Sequence, residues 1–241
     1  MLVSVVHRAR WLCGTQLTRL FTQLSATCQN PHVQWQYTQQ MKGTVMDWTT
    51  CDTPVGPLLI VATHHGVARI AFITNDDATR ELHRTAGMLT LSDYTVPDTD
   101  TWRQGAGYAH QAATELSEYF TGKRHTFDVP LDRRLSRGFR LAALTSISTI
   151  PYGTTQSYGE VASAINNPNA VRAVGGACAT NPIPIIVPCH RVVRADRSLG
   201  GYLGGQGTAN LSYKITLLDL EKADHNGSHL TLIDSTPVTS G

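Results

Sequence analysis

Cys189 and His190 stand side by side in an otherwise apolar run, Ile185-Ile186-Val187-Pro188-Cys189-His190-Arg191-Val192-Val193. These are the residue types of nucleophilic catalysis. A free thiol near neutrality is only a few per cent thiolate, so a reactive one needs a base or a positive charge beside it. His190 and Arg191 supply one of each. Read as an extended strand, the run points neighbouring side chains to opposite faces, which makes a direct thiol–imidazole hydrogen bond awkward. A bridging water, or a turn after Pro188, removes that difficulty. The competing reading, an inert cysteine buried in an apolar strand, asks nothing of His190 or Arg191.

The residues before this run form helices. Phe139, Leu141, Leu144, Ile147 and Ile150 have helical spacing, with Ser136 as N-cap and Pro151-Tyr152-Gly153 as the stop. Ser157-Tyr158-Gly159-Glu160 matches a capping box and opens a short helix that halts at Asn166-Asn167-Pro168-Asn169. A second helix follows over 170–180, so the pair reads as a helix-turn-helix. After the Cys-His run, Leu211–Lys222 places Leu211, Ile215, Leu218 and Lys222 on one helical stripe. Upstream, residues 58–61 and 67–73 flank the His64-His65-Gly66 turn as a β-hairpin. Helices are expected over 76–88 and over 110–120, the latter with Ala112, Leu116, Tyr119 and Phe120 on one face, and 127–131 reads as a short strand or linker.

Four segments follow: an extension at 1–44, an α/β domain at 45–130, a mainly helical domain at 131–223 and a flexible tail at 224–241. Charge divides along similar lines. Residues 47–130 carry a net −5 and residues 131–223 a net +5, which suits either a polyanion-facing surface or an ordinary solvated one. Residues 1–46 carry no acid and four bases, as in an amphipathic presequence or a plain extension, with Met41 or Met46 as alternative starts. Hydrophobic residues at 41% with 16% charged allow a real core, and no apolar run is long enough for a membrane span. Five cysteines, an odd number without a signal-peptide pattern, point to free thiols in a reducing cytosol.

Residues 154–222 resemble the C-terminal module of the O6-alkylguanine-DNA alkyltransferases. The resemblance rests on Ser157-Tyr158, the run Ala170-Val171-Arg172-Ala173-Val174-Gly175-Gly176-Ala177, Asn181-Pro182, Pro188-Cys189-His190-Arg191-Val192-Val193, Gly200-Gly201-Tyr202 and Lys214-x-x-Leu217-Leu218-x-x-Glu221. Weaker similarity covers 47–130, including Asp52-Thr53-Pro54-Val55-Gly56 and Tyr119-Phe120-Thr121-Gly122. The resemblance implies a ribonuclease H-like α/β domain followed by a winged-helix-like helical domain. It implies direct-reversal DNA repair: one transfer, from O6-alkylguanine and also O4-alkylthymine in DNA, to the protein's own cysteine.

By that resemblance Cys189 is the alkyl acceptor, His190 acts through a water as base, and Glu221 orients the imidazole. Asn181 ties the recognition helix to the active-site turn. Arg172 fills the stack vacated by the flipped base, and Tyr158 crowds the 3′ phosphate. Ala173 and Gly175 let the helix press into the minor groove. Tyr202, Pro184 and the backbone of Cys189, Val192 and Leu203 surround the guanine, and Gly204 leaves room beside Tyr202. Thr63 and Ala68 stand where zinc-holding relatives carry ligands, so neither metal nor cofactor is expected. Cys178 stands where methionine is common, and Gln206–Asn210 lengthens the loop before the last helix. The expected partner is double-stranded DNA, with no membrane and a monomeric protein. The implied compartment is the cytoplasm, or nucleus or mitochondrion if the source is eukaryotic. The alternatives are a binding-only relative that flags lesions, a helix-turn-helix regulator, and a cysteine hydrolase with repeated turnover.

Overall fold

The computed structural model describes residues 45–74, 77–92, 94–204 and 208–225. The expected extension, nearly all of the expected tail and Gln206 with Gly207 of the lengthened loop lie outside the described residues. The first half is a four-stranded sheet with helices. Strands β1 (Met46–Cys51), β2 (Leu58–Thr63), β3 (Gly66–Phe72) and β4 (Arg103–Gln104) lie in the order β3-β2-β1-β4. The β1–β2 and β2–β3 pairs are antiparallel, and β4 runs parallel to β1. Helix α1 (Ala78–Thr90) covers one face and α2 (Gly107–Phe120) the other. That double cover explains why β2 reads Leu-Leu-Ile-Val-Ala without alternation, since every one of its residues is buried.

The hairpin occurs where expected. The strand β1 was not anticipated: its Asp47, Thr49 and Thr50 hide the strand pattern. Helix α1 begins two residues later than the expected 76–88 and ends two later. The 127–131 segment is a linker held in place on both sides. Buried Glu115 accepts the Asp128 and Val129 amides at 2.9 and 3.2 Å, while Val67 donates to the Pro130 carbonyl at 2.8 Å. A Cβ on Gly66 would lie 2.2 Å from that carbonyl oxygen, so only glycine lets the linker pass so close.

The second half is helical, the architecture expected of it. It comprises α3 (Gly138–Ile147), β5 (Gln156–Ser157), α4 (Tyr158–Ala164), α5 (Val171–Ala179), β6 (Val192–Val193) and α6 (Thr208–Leu220). The N-cap of α3 is Arg137, not Ser136; Ser136 instead ends a 3-10 turn at Arg133–Leu135, in extended conformation. The capping box of α4 forms in full: the Ser157 hydroxyl accepts the Glu160 amide at 3.1 Å, and Glu160 accepts the Ser157 amide at 2.6 Å. Asn166, at φ 57°, closes α4 in the left-handed region, with Asn166 and Asn167 donating to the Ser163 and Ala162 carbonyls. The helix-turn-helix of α4 and α5 is then fastened to the Cys-His segment, because β5 pairs in parallel with β6 through Gln156–Val192 and Ser157–Val193.

One apolar cluster joins the two halves, running from Leu58, Ile60 and Leu116 through Leu144, Val161 and Val174 to Val192 and Leu217. On α6 the inward face is Lys214, Leu217 and Leu218 and continues to Glu221. Of the expected stripe only Leu218 faces inward: Lys222 is exposed, and Leu211 and Ile215 are half-buried. A lysine on the inner face defeats any pattern drawn from apolar residues alone.

Candidate active site

The run 185–193 is strand only at its end, in β6. Cys189–Arg191 forms a 3-10 turn, with Cys189 donating to the Val187 carbonyl at 2.8 Å and Arg191 to that of Pro188 at 2.9 Å. Residues upstream already turn at Ile185-Ile186, closed by the Pro184–Val187 bridge, and the 3-10 turn frees Cys189 and His190 from opposite faces of a pleat. Ile185 just upstream has φ 74°, which a β-branched residue adopts only when its surroundings force it. Asn181 supplies part of that constraint. Its amide nitrogen donates to the Val187 carbonyl at 2.8 Å and to Cys189 Sγ at 3.2 Å, and its oxygen accepts the Ile183 amide at 3.0 Å.

His190 is fully buried, and its Nε2 lies 2.9 Å from Glu221 Oε1. Arg191 grips the same carboxylate with two hydrogen bonds of 2.8 Å, Nε to Oε2 and Nη2 to Oε1, and also donates to the Ile150 carbonyl. Tyr119 Oη donates to Oε1 at 2.7 Å, and the Gly153 amide reaches Oε2 at 3.3 Å. Burial alone would push the Glu221 carboxyl up. The hydrogen bonds and charges of His190 and Arg191 outweigh it and hold the group well below the usual carboxylate range. Burial pushes His190 down, toward its neutral form. An ionised carboxylate only accepts, so Nε2 carries the ring proton. Nδ1, which has no protein partner, is the basic nitrogen.

Burial pushes the Cys189 thiol up, opposed by the Asn181 hydrogen bond and the charge of Lys214. The protein therefore stores a neutral thiol beside a neutral imidazole. Lys214 is itself buried, donating to the carbonyls of Val192 at 2.6 Å and of Leu199, and burial pushes it down to about 8.

Beside this centre lies a cavity of about 470 Å³. Its walls are α4 and α5, through Tyr158, Arg172, Gly175 and Cys178, facing Arg194 and the 200–204 loop with Tyr202, Leu203 and Gly204. The Tyr202 hydroxyl is buried without a protein partner, a polar group left to a ligand. Gly200 passes directly under Tyr158, where a Cβ would meet the phenol oxygen at 2.9 Å.

Of the residues singled out by sequence, Cys189, His190, Asn181 and Glu221 come together in one buried network. Tyr158, Arg172, Gly175, Tyr202, Leu203 and Gly204 line the cavity. Three do not: Ala173 is on the exposed side of α5, Pro184 is buried in a bridge with Val187, and the Val192 carbonyl is occupied by Lys214. Sequence reasoning missed the carboxylate contact of Tyr119 and gave Arg191 no structural role. Tyr119 stands in the weakly similar Tyr119-Phe120-Thr121-Gly122 stretch, but its spacing is that of an ordinary core aromatic and nothing there points to Glu221. Among the described residues no three His, Cys, Asp or Glu side chains gather as a metal site would need.

Two family models match the chain: the ribonuclease-like domain of 6-O-methylguanine DNA methyltransferase over residues 46–133, and the DNA-binding domain of the same family over residues 138–223. A methylated-DNA–protein-cysteine methyltransferase of Mycobacterium tuberculosis is 39% identical over 190 residues, which is 79% of this chain and 100% of that protein. The crystal structure of M. tuberculosis O6-methylguanine methyltransferase aligns at 35% identity and a TM-score of 0.54, covering 74% of this chain and 93% of that one. A structure of the M. tuberculosis protein in complex with DNA aligns at 36% identity and a TM-score of 0.52, covering 73% and 92%.

Proposed function

The chain belongs to the 6-O-methylguanine DNA methyltransferase family, and from that premise we propose that it repairs alkylated DNA by moving the alkyl group from guanine O6 onto Cys189. The observation that carries the assignment is the buried chain of contacts Asn181–Cys189 and His190–Glu221 next to an open cavity on the helix-turn-helix. The cavity takes a guanine flipped out of the duplex, since O6 faces the major groove and a buried thiol approaching from the minor groove cannot reach its substituent while the base stays stacked. Arg172, exposed on α5, fills the gap left behind, and the small Ala173 and Gly175 allow α5 into a narrow minor groove.

The thiol proton passes through a water to His190 Nδ1. The resulting imidazolium is held by Glu221, the logic of a hydrolase triad with one water added. The thiolate attacks the alkyl carbon: an S–C bond forms, the C–O6 bond breaks, and its electron pair stays with guanine, which takes up one proton. The thioether has no leaving group to regenerate the thiol, so each molecule acts once. The protein works as a monomer in the cytoplasm, where thiols stay reduced. Intact mass after incubation with an O6-methylguanine duplex tests this reading. A single added methyl that peptide mapping assigns to Cys189 supports it. More than one turnover per molecule would favour a hydrolase and overturn it.

The cavity also accepts substituents larger than methyl. Gly204 presents no side chain to it, and φ of 77° makes any other residue strained there. Burying a benzyl ring would contribute about 1.5–3 kcal/mol, as for a phenylalanine side chain. Free O6-benzylguanine should therefore abolish methyl transfer at micromolar concentration, and Gly204→Trp should confer resistance while methyl repair continues. Full activity in millimolar compound would overturn this reading of the cavity, with the Gln206–Asn210 insertion as the first suspect.

A further inference from the structure

A phenol of the sheet half reaches the carboxylate of the reaction centre. Tyr119 sits at the end of α2, fully buried, and donates to Glu221 Oε1 at 2.7 Å. Its ring packs among Phe120, Phe127 and Tyr152, with centroids 5.2, 5.5 and 6.1 Å away. A phenylalanine would satisfy that aromatic nest equally well. The hydroxyl is therefore a separate feature, since burying it is costly unless it is bonded, and Glu221 is the partner it has.

Oε1 is also the oxygen that holds His190. Resting on the active-site reading above, we propose that Tyr119 is a positioning residue for alkyl transfer. Its hydroxyl fixes Glu221 Oε1 against His190 and draws off part of the carboxylate charge, which sets the pH below which His190 can no longer take the Cys189 proton. Tyr119 touches neither the base nor the thiol and acts only through Glu221. Burial and the Glu221 charge push its own ionisation far above the usual phenol range, so it remains a donor at every working pH.

The other groups facing the network are accounted for. Arg191 is bound to the carboxylate and stays charged. Lys214 bears on His190 from α6, pushed down to about 8, so its titration lies on the alkaline side. Tyr152 and Tyr202 bear on Glu221 and are pushed up by burial, with Cys189 beside Tyr202. His125 stacks on the Tyr152 ring at 3.9 Å, one ring removed from the carboxylate.

The test is Tyr119→Phe, with single-turnover methyl transfer measured from about pH 5.5 to 9. With one donor gone the carboxylate is more basic and holds the imidazolium better, so the acid limb should move up by about half a unit or more. DNA affinity should stay within about twofold, because Tyr119 is fully buried and presents nothing to the surface on which Arg172 is exposed. Tyr152→Phe is the control: its hydroxyl donates to the Leu220 carbonyl, not the carboxylate, and its acid limb should not move. Placing 3-fluorotyrosine at 119, a stronger donor in the same nest, should shift the limb down. A limb that stays put in both Tyr119 variants, or that moves equally in Tyr152→Phe, overturns the proposal. If Glu221→Gln itself leaves the rate unchanged, the active-site reading falls. If Glu221→Gln is slow and Tyr119→Phe has no effect on the limb, only the role of Tyr119 falls.

Discussion

Replacing Cys189 by alanine stops methyl transfer, by more than about a thousandfold, while binding to an O6-methylguanine duplex stays within about twofold. The size follows from removing the nucleophile itself: the remaining groups can hold the base but have no atom to which the alkyl group can go. The fold should survive the change. Asn181 loses its contact with Sγ and keeps the Val187 carbonyl and the Ile183 amide, so the turn stays anchored. Cys178 is the informative control, because it lines the cavity and is also a buried thiol. Burial pushes it up, opposed by the charge of Lys214, and it lacks the Asn181 hydrogen bond that Cys189 receives. Cys178→Ala should therefore retain transfer at a rate set only by the changed wall of the cavity. Methyl recovered on Cys178, or transfer by Cys189→Ala, would sink the assignment.

The parts that were legible in the sequence are those fixed by local chemistry. Ser157 and Glu160 announce a capping box because their spacing alone decides who can bond to whom, and the structure forms it. The Asn166-Asn167 turn is likewise local, since asparagine tolerates the left-handed region that α4 needs to stop. The Cys-His run misleads because Ile, Val and Val flank it, and an apolar run reads as strand whether or not a 3-10 turn interrupts it. The motif places Lys214 and Glu221 at the last helix, yet of the apolar stripe expected to face inward only Leu218 does so. Their burial depends on partners more than twenty residues away, at Val192, His190 and Arg191. Tyr119 lies further still from its acceptor, 102 residues along the chain. No periodicity carries such a contact. It exists because one apolar cluster draws α2 and the end of α6 together, and polar groups caught inside that cluster must find each other.

His190→Ala and Glu221→Gln should each slow transfer by about a hundredfold or more, the usual cost of losing a positioned acid–base group, with DNA affinity intact. Their effects on stability should differ. His190→Ala removes a neutral ring and leaves the Arg191–Glu221 pair whole. Glu221→Gln removes the charge that faces Arg191, whose side chain is 7% exposed, and an uncompensated buried cation costs about 3–5 kcal/mol. Both variants should melt lower, since His190→Ala leaves a cavity in the core, but the larger drop is expected for Glu221→Gln. The pH dependence carries the same sign. The folded state holds the Glu221 carboxyl well below its unfolded value, so its stabilisation is complete above about pH 5 and is lost as pH falls. Glu221→Gln should be less stable near neutrality, yet its stability should fall less steeply between about pH 5 and 2 than that of the parent. In rate the double variant should be barely slower than either single one, because the two residues act as a unit. Additive losses in rate would separate Glu221 from His190 and break the proton path. Equal losses in binding and in rate would reduce both residues to structural supports.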